Sequence, residues 1–141
     1  LIFGGENQNV SGKKILNKYG IKKELFKFVR GSNEELKNIY KNVRLFVYPS
    51  HYEGFGIPLI EAMRSGCPII SSSGGALKEI GGDGLNYFDP NDTEELKYLM
   101  EDLIFDDYKI KKTIEYGYNR SEKFSWENCA SETREIYKSI L

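Results

Sequence analysis

The chain has 141 residues, 40% hydrophobic and 29% charged, with a net charge of -1. That is enough for one domain with a core and too little for two ordinary ones. The near-neutral balance excludes nucleic acid as the main partner, since no basic excess is present to neutralise phosphates, and no apolar run approaches membrane-spanning length.

Residues 1–3 read as a strand at the very start, without a signal-peptide pattern and with Leu1 in place of Met. The expectation is therefore a chain that begins inside a longer protein. A second strand is predicted over 26–29, ending at Arg30-Gly31. Ser32 followed by Glu35 then makes a capping box, opening a helix with Leu36, Ile39, Tyr40 and Val43 on one face. The third strand, 44–48, leads into the most informative stretch of the sequence. Residues 52–61 read Tyr-Glu-Gly-Phe-Gly-Ile-Pro-Leu-Ile-Glu, with Pro58 opening a helix. A strand, a glycine loop and a helix N-terminus suit anions, because glycines allow close approach and first-turn N–H groups lack partners. Glu53 and Glu61 add acceptors beside that anion site, and acceptors there recognise hydroxyls. A ligand with phosphate and several hydroxyls is a nucleotide, a sugar phosphate or a nucleotide-sugar. A carboxylate such as Glu61 in a helix first turn also complements the dipole, and both roles can hold together.

Further strands are predicted over 68–71 and 85–88. Asp92 with Glu95 repeats the capping signature, before an apolar stripe of Leu96, Leu99, Met100, Leu103 and Ile104. Two more helices follow the turn at Asp106-Asp107. The last starts at Ser125 and carries Trp126, read as a packing anchor, with Ala130, Ile136, Tyr137 and Ile140. Lys109, Lys111 and Lys112 read as a solvated helix face, with peripheral contact to an anionic membrane as the sharper possibility. Cys67 and Cys129, without metal or redox spacing, read as small buried apolar residues of a reducing compartment. The single His51 cannot build a metal site and reads as a rim residue, and Glu79 reads as capping or pairing locally.

Strands alternating with helices imply an α/β fold, a parallel sheet with helices on both faces, whose ligand crevice lies outside the carboxyl ends of the strands. Gly4-Gly5, Arg30-Gly31, residues 50–56 and residues 71–75 all fall at such ends, so four are expected on one rim. A nicotinamide oxidoreductase is excluded, because no Gly-x-Gly-x-x-Gly follows a strand with an acid about twenty residues on.

The run from Tyr52 to Met63, then Ser65-Gly-Cys-Pro-Ile-Ile70, resembles the group 1 (family 4) retaining glycosyltransferases. Flanking segments agree: Phe28-Val-Arg-Gly31, Gly74-Gly75 with Glu79-Ile80, Phe88-Asp-Pro90, and Phe124-Ser-Trp-Glu127. The resemblance implies a GT-B enzyme of two Rossmann-like domains, with residues 1–141 forming most of the C-terminal, nucleotide-sugar-binding domain. The acceptor-binding N-terminal domain and an Arg/Lys pair that clamps the diphosphate would lie upstream, so this chain alone is expected to be inactive. It further implies that Gly54, Phe55, Gly56 and Ile57 meet the donor sugar and diphosphate. Glu53 contacts sugar hydroxyls as the candidate catalytic carboxylate, Glu61 accepts from the ribose, and Arg30 and Gly31 lie near the base. Donor departure would be assisted by the leaving phosphate, with no metal ion. The implied setting is cytoplasmic, at the inner face of the membrane where the acceptor is a lipid-linked glycan of a surface polysaccharide. A non-catalytic nucleotide-sugar-binding module is the alternative on the same residues.

Overall fold

The computed structural model describes residues 2–3, 16–25 and 27–140, which fall into two compact units divided after Leu36. In the first unit, β1 (Ile2–Phe3) pairs in parallel with β2 (Phe28–Val29), aligning Ile2 with Phe28 and Phe3 with Val29. Residues 16–18 are helical, and a 3-10 turn covers Lys23–Leu25. The expected capping box opens α1 (Asn33–Asn42). Ser32 N donates to Glu35 Oε2 at 2.7 Å, and Glu35 N donates to Ser32 Oγ at 3.3 Å. These two bonds satisfy first-turn donors that a helix leaves orphaned. Ser32 N, and then Ser32 Oγ donating to Glu35 Oε2 at 3.1 Å, hold the exposed Glu35 carboxyl below its usual range.

The second unit is built on a three-stranded parallel sheet of β3 (Phe46–Tyr48), β4 (Ile69–Ser72) and β5 (Asn86–Phe88), with β4 in the centre. Its register sets Val47 beside Ile70 and Ser71 beside Tyr87. All four residues of β4 are buried, as a central parallel strand covered on both faces requires. Successive side chains point to opposite faces. Ile70 joins Phe88, Leu103 and Ile110 in one cluster, with Leu45, Leu96, Leu99, Met100 and Ile114 against it. Most of this cluster comes from α4 (Thr93–Ile104) and α5 (Asp107–Ser121), so the apolar stripe read from the sequence is the one that covers the sheet. Between the strands lie α2 (Ile57–Arg64) and α3 (Leu77–Gly81), carrying the fully buried Leu59 and Leu77. The short α3 lies between the strands expected over 68–71 and 85–88, where no helix is read from the sequence.

Caps follow the sequence with one exchange. Asp92 accepts from Glu94 N and Glu95 N at 3.0 and 2.9 Å, but Glu95 turns outward to Asp89 N at 2.7 Å instead of closing a box. Asp106 caps α5 in the same way. Two arginines then serve helix C-termini, where cations are favoured. Arg44 donates to Ile104 O and to Asp107 Oδ1 at the end of α4. Arg120 donates to Ile80 O and Glu79 O at the end of α3, so Glu79 is used through its main-chain oxygen.

Two expectations need correction at α6 (Trp126–Ile140), which Ser125 caps by accepting from Asn128 N at 3.0 Å. Trp126 is no packing anchor, with 83% of its surface exposed, and Ile136, Tyr137 and Ile140 are exposed as well. The helix is amphipathic in sequence, but its apolar stripe does not bury against this sheet. Cys129 lies on that helix and is exposed, whereas Cys67 is buried as expected.

Candidate functional site

β3 and β4 run parallel as neighbours, so their carboxyl ends open on the same side of the sheet. The chain leaves β3 into residues 49–56 and leaves β4 into residues 73–76, and these two loops are built against each other. Ser72 Oγ donates to Ser50 O, and Ala76 N donates to Glu53 O at 3.0 Å. A Cβ on Gly74 would lie 2.2 Å from His51 O, and one on Gly75 would lie 2.4 Å from Glu53 O. Both separations are far inside van der Waals contact. The Gly74-Gly75 pair is thus what lets the second loop brace the first. Gly75 also has φ +59, a conformation in which an L side chain is strained.

Gly56 ends the first loop and caps α2, with φ 97 and ψ 50. It is buried, and a Cβ there would lie 2.6 Å from Leu77 Cδ2. Helix α2 begins at Ile57, one residue before the expected Pro58, and Leu59 N closes its first turn on Gly56 O at 2.9 Å. A second correction follows. No acidic residue lies in the first turn of α2, so Glu61 is not placed there to complement the dipole. It sits further along, exposed, close enough to Tyr40 that its carboxylate adds to burial in holding that phenol well above its ordinary value.

Within the first loop Glu53 is half-buried. Burial, and then this carboxylate, push the Tyr48 phenol up to about 12. Gly54 differs from its glycine neighbours: a Cβ there would meet nothing within 4 Å, so the fold itself does not demand glycine. Phe55 and Ile57 are exposed, and the Phe55 ring meets Phe124 edge-on at 6.2 Å. The Arg120 guanidinium lies over the other ring at 5.4 Å, so Phe55 is anchored towards the α5–α6 junction. His51 is exposed at the loop's edge.

Of the expected rim, Gly4-Gly5 lie outside the described residues. Arg30 and Gly31 follow β2 in the first unit, both exposed, and a Cβ on Gly31 would come 2.4 Å from Glu35 Oε2 beside the capping box. The second unit brings together Glu53, Gly54, Phe55, Gly56, Ile57 and Glu61 on one loop and the helix that follows. Among the described residues no three of His, Cys, Asp and Glu gather as a metal site would require. Sequence reasoning overlooked Tyr48. A tyrosine ending an apolar strand reads as core, yet this one is only half-buried, and the Glu53 carboxylate adds to burial in raising its phenol.

Known proteins resemble this chain in sequence and in fold. The family profile described as glycosyl transferases group 1 matches residues 1–120. The O-antigen chain mannosyltransferase B of Escherichia coli is 39% identical over 109 residues, a match covering 77% of this chain and 28% of that protein. The sucrose-phosphate synthase structure from Thermosynechococcus elongatus superposes with a TM-score of 0.86 at 24% identity, covering 98% of this chain and 37% of that one, which speaks to the fold. The structure of the C-terminal domain of a glycosyl transferase group 1 family protein from Francisella tularensis superposes with a TM-score of 0.67 at 25% identity. It covers 84% of this chain and 64% of that one. The chain thus spans less than a third of the length of its Escherichia coli relative.

Proposed function

The chain belongs to the group 1 glycosyltransferases, and from that premise we propose that residues 1–141 form the donor-binding, C-terminal domain of a larger hexosyltransferase. The donor is a UDP- or GDP-sugar, and the hexose passes with retention to a glycan or lipid-linked acceptor held by a domain upstream. Similarity to the O-antigen chain mannosyltransferase B of Escherichia coli favours mannose and a surface polysaccharide. The match to a domain solved by itself as a C-terminal domain supports the domain assignment.

One observation carries the reading: a half-buried carboxylate and a glycine-capped helix start occupy the same loop at the carboxyl end of β3, beside the carboxyl end of β4. Main-chain amides of Gly54, Phe55, Gly56 and Ile57 then meet the diphosphate, where a helix N-terminus favours anions. Glu53 accepts from donor sugar hydroxyls, and Glu61 accepts from the ribose. Arg30 and Gly31 serve the nucleotide, an assignment resting on the resemblance alone. In the reaction the sugar C1–O bond to the phosphate breaks while a bond to the acceptor oxygen forms on the same face. The acceptor's proton passes to the leaving phosphate. These are electrostatic and positioning tasks that need no metal. We place the protein in the cytoplasm, at the membrane's inner face where the acceptor is lipid-linked. Among the described residues no helix is long and apolar enough to cross a membrane.

Calorimetry with GDP-mannose, UDP-glucose, GDP and UDP tests the assignment. Glu61→Ala should weaken nucleotide and nucleotide-sugar alike, by about tenfold for one lost charge-assisted hydrogen bond. Unchanged affinity would remove Glu61 from the ribose.

A further inference from the structure

The loop between β3 and α2 is fixed on both sides of its middle. Glu53 O accepts from Ala76 N, and Leu77 leaves no room for a side chain at Gly56. Between them, Gly54 and Phe55 make no main-chain hydrogen bond among the described residues, and a Cβ on Gly54 would meet nothing within 4 Å. A residue flanked by glycines turns easily, since glycine restricts the backbone least. Its side chain supplies the restraint. The half-exposed Phe55 ring meets Phe124 edge-on, with centroids 6.2 Å apart and planes at 89°. Phe124 is itself held from three helices. Its N–H donates to Ser121 O at 3.1 Å, its carbonyl accepts from Arg64 at the end of α2, and the Arg120 guanidinium lies over its ring at 5.4 Å. Arg120 donates in turn to Ile80 O at 2.9 Å and Glu79 O at 2.6 Å in α3. Contacts from α2, α3 and α5 therefore converge on the one ring that meets Phe55.

We propose that Phe124 is a positioning residue of the donor site: its ring holds Phe55 and so orients the Gly54 and Phe55 amides that meet the diphosphate. The proposal rests on the reading that these amides bind the donor. Ordering them before the ligand arrives removes that cost from binding, which raises affinity without adding a contact to the ligand. An aromatic pair of this geometry accounts for up to about tenfold. The effect is confined to ligands that carry phosphate, because in that reading base and ribose do not touch these amides.

The test reads the loop and the ligand separately. In the unliganded chain, amide order parameters from NMR relaxation should fall at Gly54 and Phe55 in Phe124→Ala and stay unchanged at Gly75 and Ala76. Unchanged values at Gly54 and Phe55, or an equal fall in both loops, overturn the role of Phe124. Calorimetry then takes GDP, UDP and GDP-mannose, with guanosine and uridine titrated by amide NMR as phosphate-free controls. Phe124→Ala should weaken the diphosphates by up to about tenfold and leave the nucleosides unchanged. Phe55→Ala should do the same, and the double variant should bind no worse than the weaker single variant. Fully additive losses, or losses shared by nucleosides and diphosphates alike, overturn the proposal. Phe124→Leu keeps apolar bulk without the ring, and it should show the same selective loss should alanine unfold the junction. If the wild-type chain binds neither GDP nor UDP, the donor reading itself fails and the proposal with it. Wild-type affinity for GDP or UDP that survives in Phe124→Ala and in Phe124→Leu sinks the proposal alone.

Discussion

Alanine at Gly56 should be among the costliest single-methyl additions in the second unit. At φ 97 and ψ 50 an L residue meets its own carbonyl, which costs roughly 1–2 kcal/mol. The new methyl would also sit 2.6 Å from Leu77 Cδ2, and Leu77, the first residue of α3, is fully buried. Overpacking of that kind costs typically about 1–3 kcal/mol. The two effects together give a loss of roughly 2–5 kcal/mol, a large fraction of the stability of an ordinary domain. Urea unfolding followed by circular dichroism measures it. With a slope of about 2 kcal/mol per molar urea, the midpoint should fall by roughly 1–2.5 M. Gly54→Ala is the internal control, since a Cβ there meets nothing within 4 Å. Its stability should stay within about 0.5 kcal/mol of wild type, while its nucleotide-sugar affinity falls because the ligand can no longer approach the backbone. Equal destabilisation at positions 54 and 56 would refute the reasoning, and so would a Gly56→Ala loss below about 0.5 kcal/mol.

The single tryptophan, Trp126, is 83% exposed, so its fluorescence should already resemble that of tryptophan in water and be quenched freely by iodide. A blue-shifted, protected emission would show that α6 is covered. At neutral pH the exposed Cys129 should react with Ellman's reagent at once. Cys67, buried and with its thiol pushed up to about 12, should react only as the chain unfolds. Two fast thiols would contradict the burial. Stability should fall on the alkaline side. The Cys67 thiol and the Tyr48 phenol both lie raised to about 12, so the unfolded chain releases these protons first as pH rises. Their contribution is complete below the unfolded values and is lost as pH climbs towards about 12, with a slope of at most ~1.4 kcal/mol per pH unit for each group. Tyr48 is only half-buried, and its share is discounted for screening by solvent. Cys67→Ala should flatten part of that slope, and an unaltered slope would assign it elsewhere.

Most of the architecture was legible because its signals are local. Ser32 with Glu35, Asp92 and Ser125 each announce a helix by a side chain that bonds to nearby backbone N–H groups, and each does so in the structure, while Asp106, read as a turn, caps α5 in the same way. The stripe from Leu96 to Leu103 carries its period in the sequence. What could not be read depends on distant partners. Glu95 fits a capping box by spacing, yet Asp89 N offers it a better-placed donor. Trp126 carries the apolar area of an anchor, but whether a helix stripe finds a surface is decided by the rest of the fold. Glu61 moved out of the first turn because Gly56 starts α2 a residue before Pro58. Helix ends of this kind are set by one positive-φ residue, and the sequence marks that residue only as one glycine among fourteen.

The glycines of the candidate site divide by what excludes a side chain from each, and that division separates fold from ligand. At Gly74, Gly75 and Gly56 the protein itself is the obstacle: His51 O, Glu53 O and Leu77 Cδ2 occupy the space a methyl would need. Glycine at these three is required for the two loops and α3 to close on one another, whatever binds there. Gly54 has no such obstacle, so a side chain would fit the unliganded chain. Glycine at 54 is not required by the fold, and under the proposed function it is what lets a ligand approach the main chain beside Glu53. The motif that first drew attention as one Gly-rich elbow is thus two devices interleaved. One glycine set holds the main chain of the loop that carries Glu53, and the remaining position is left open beside it.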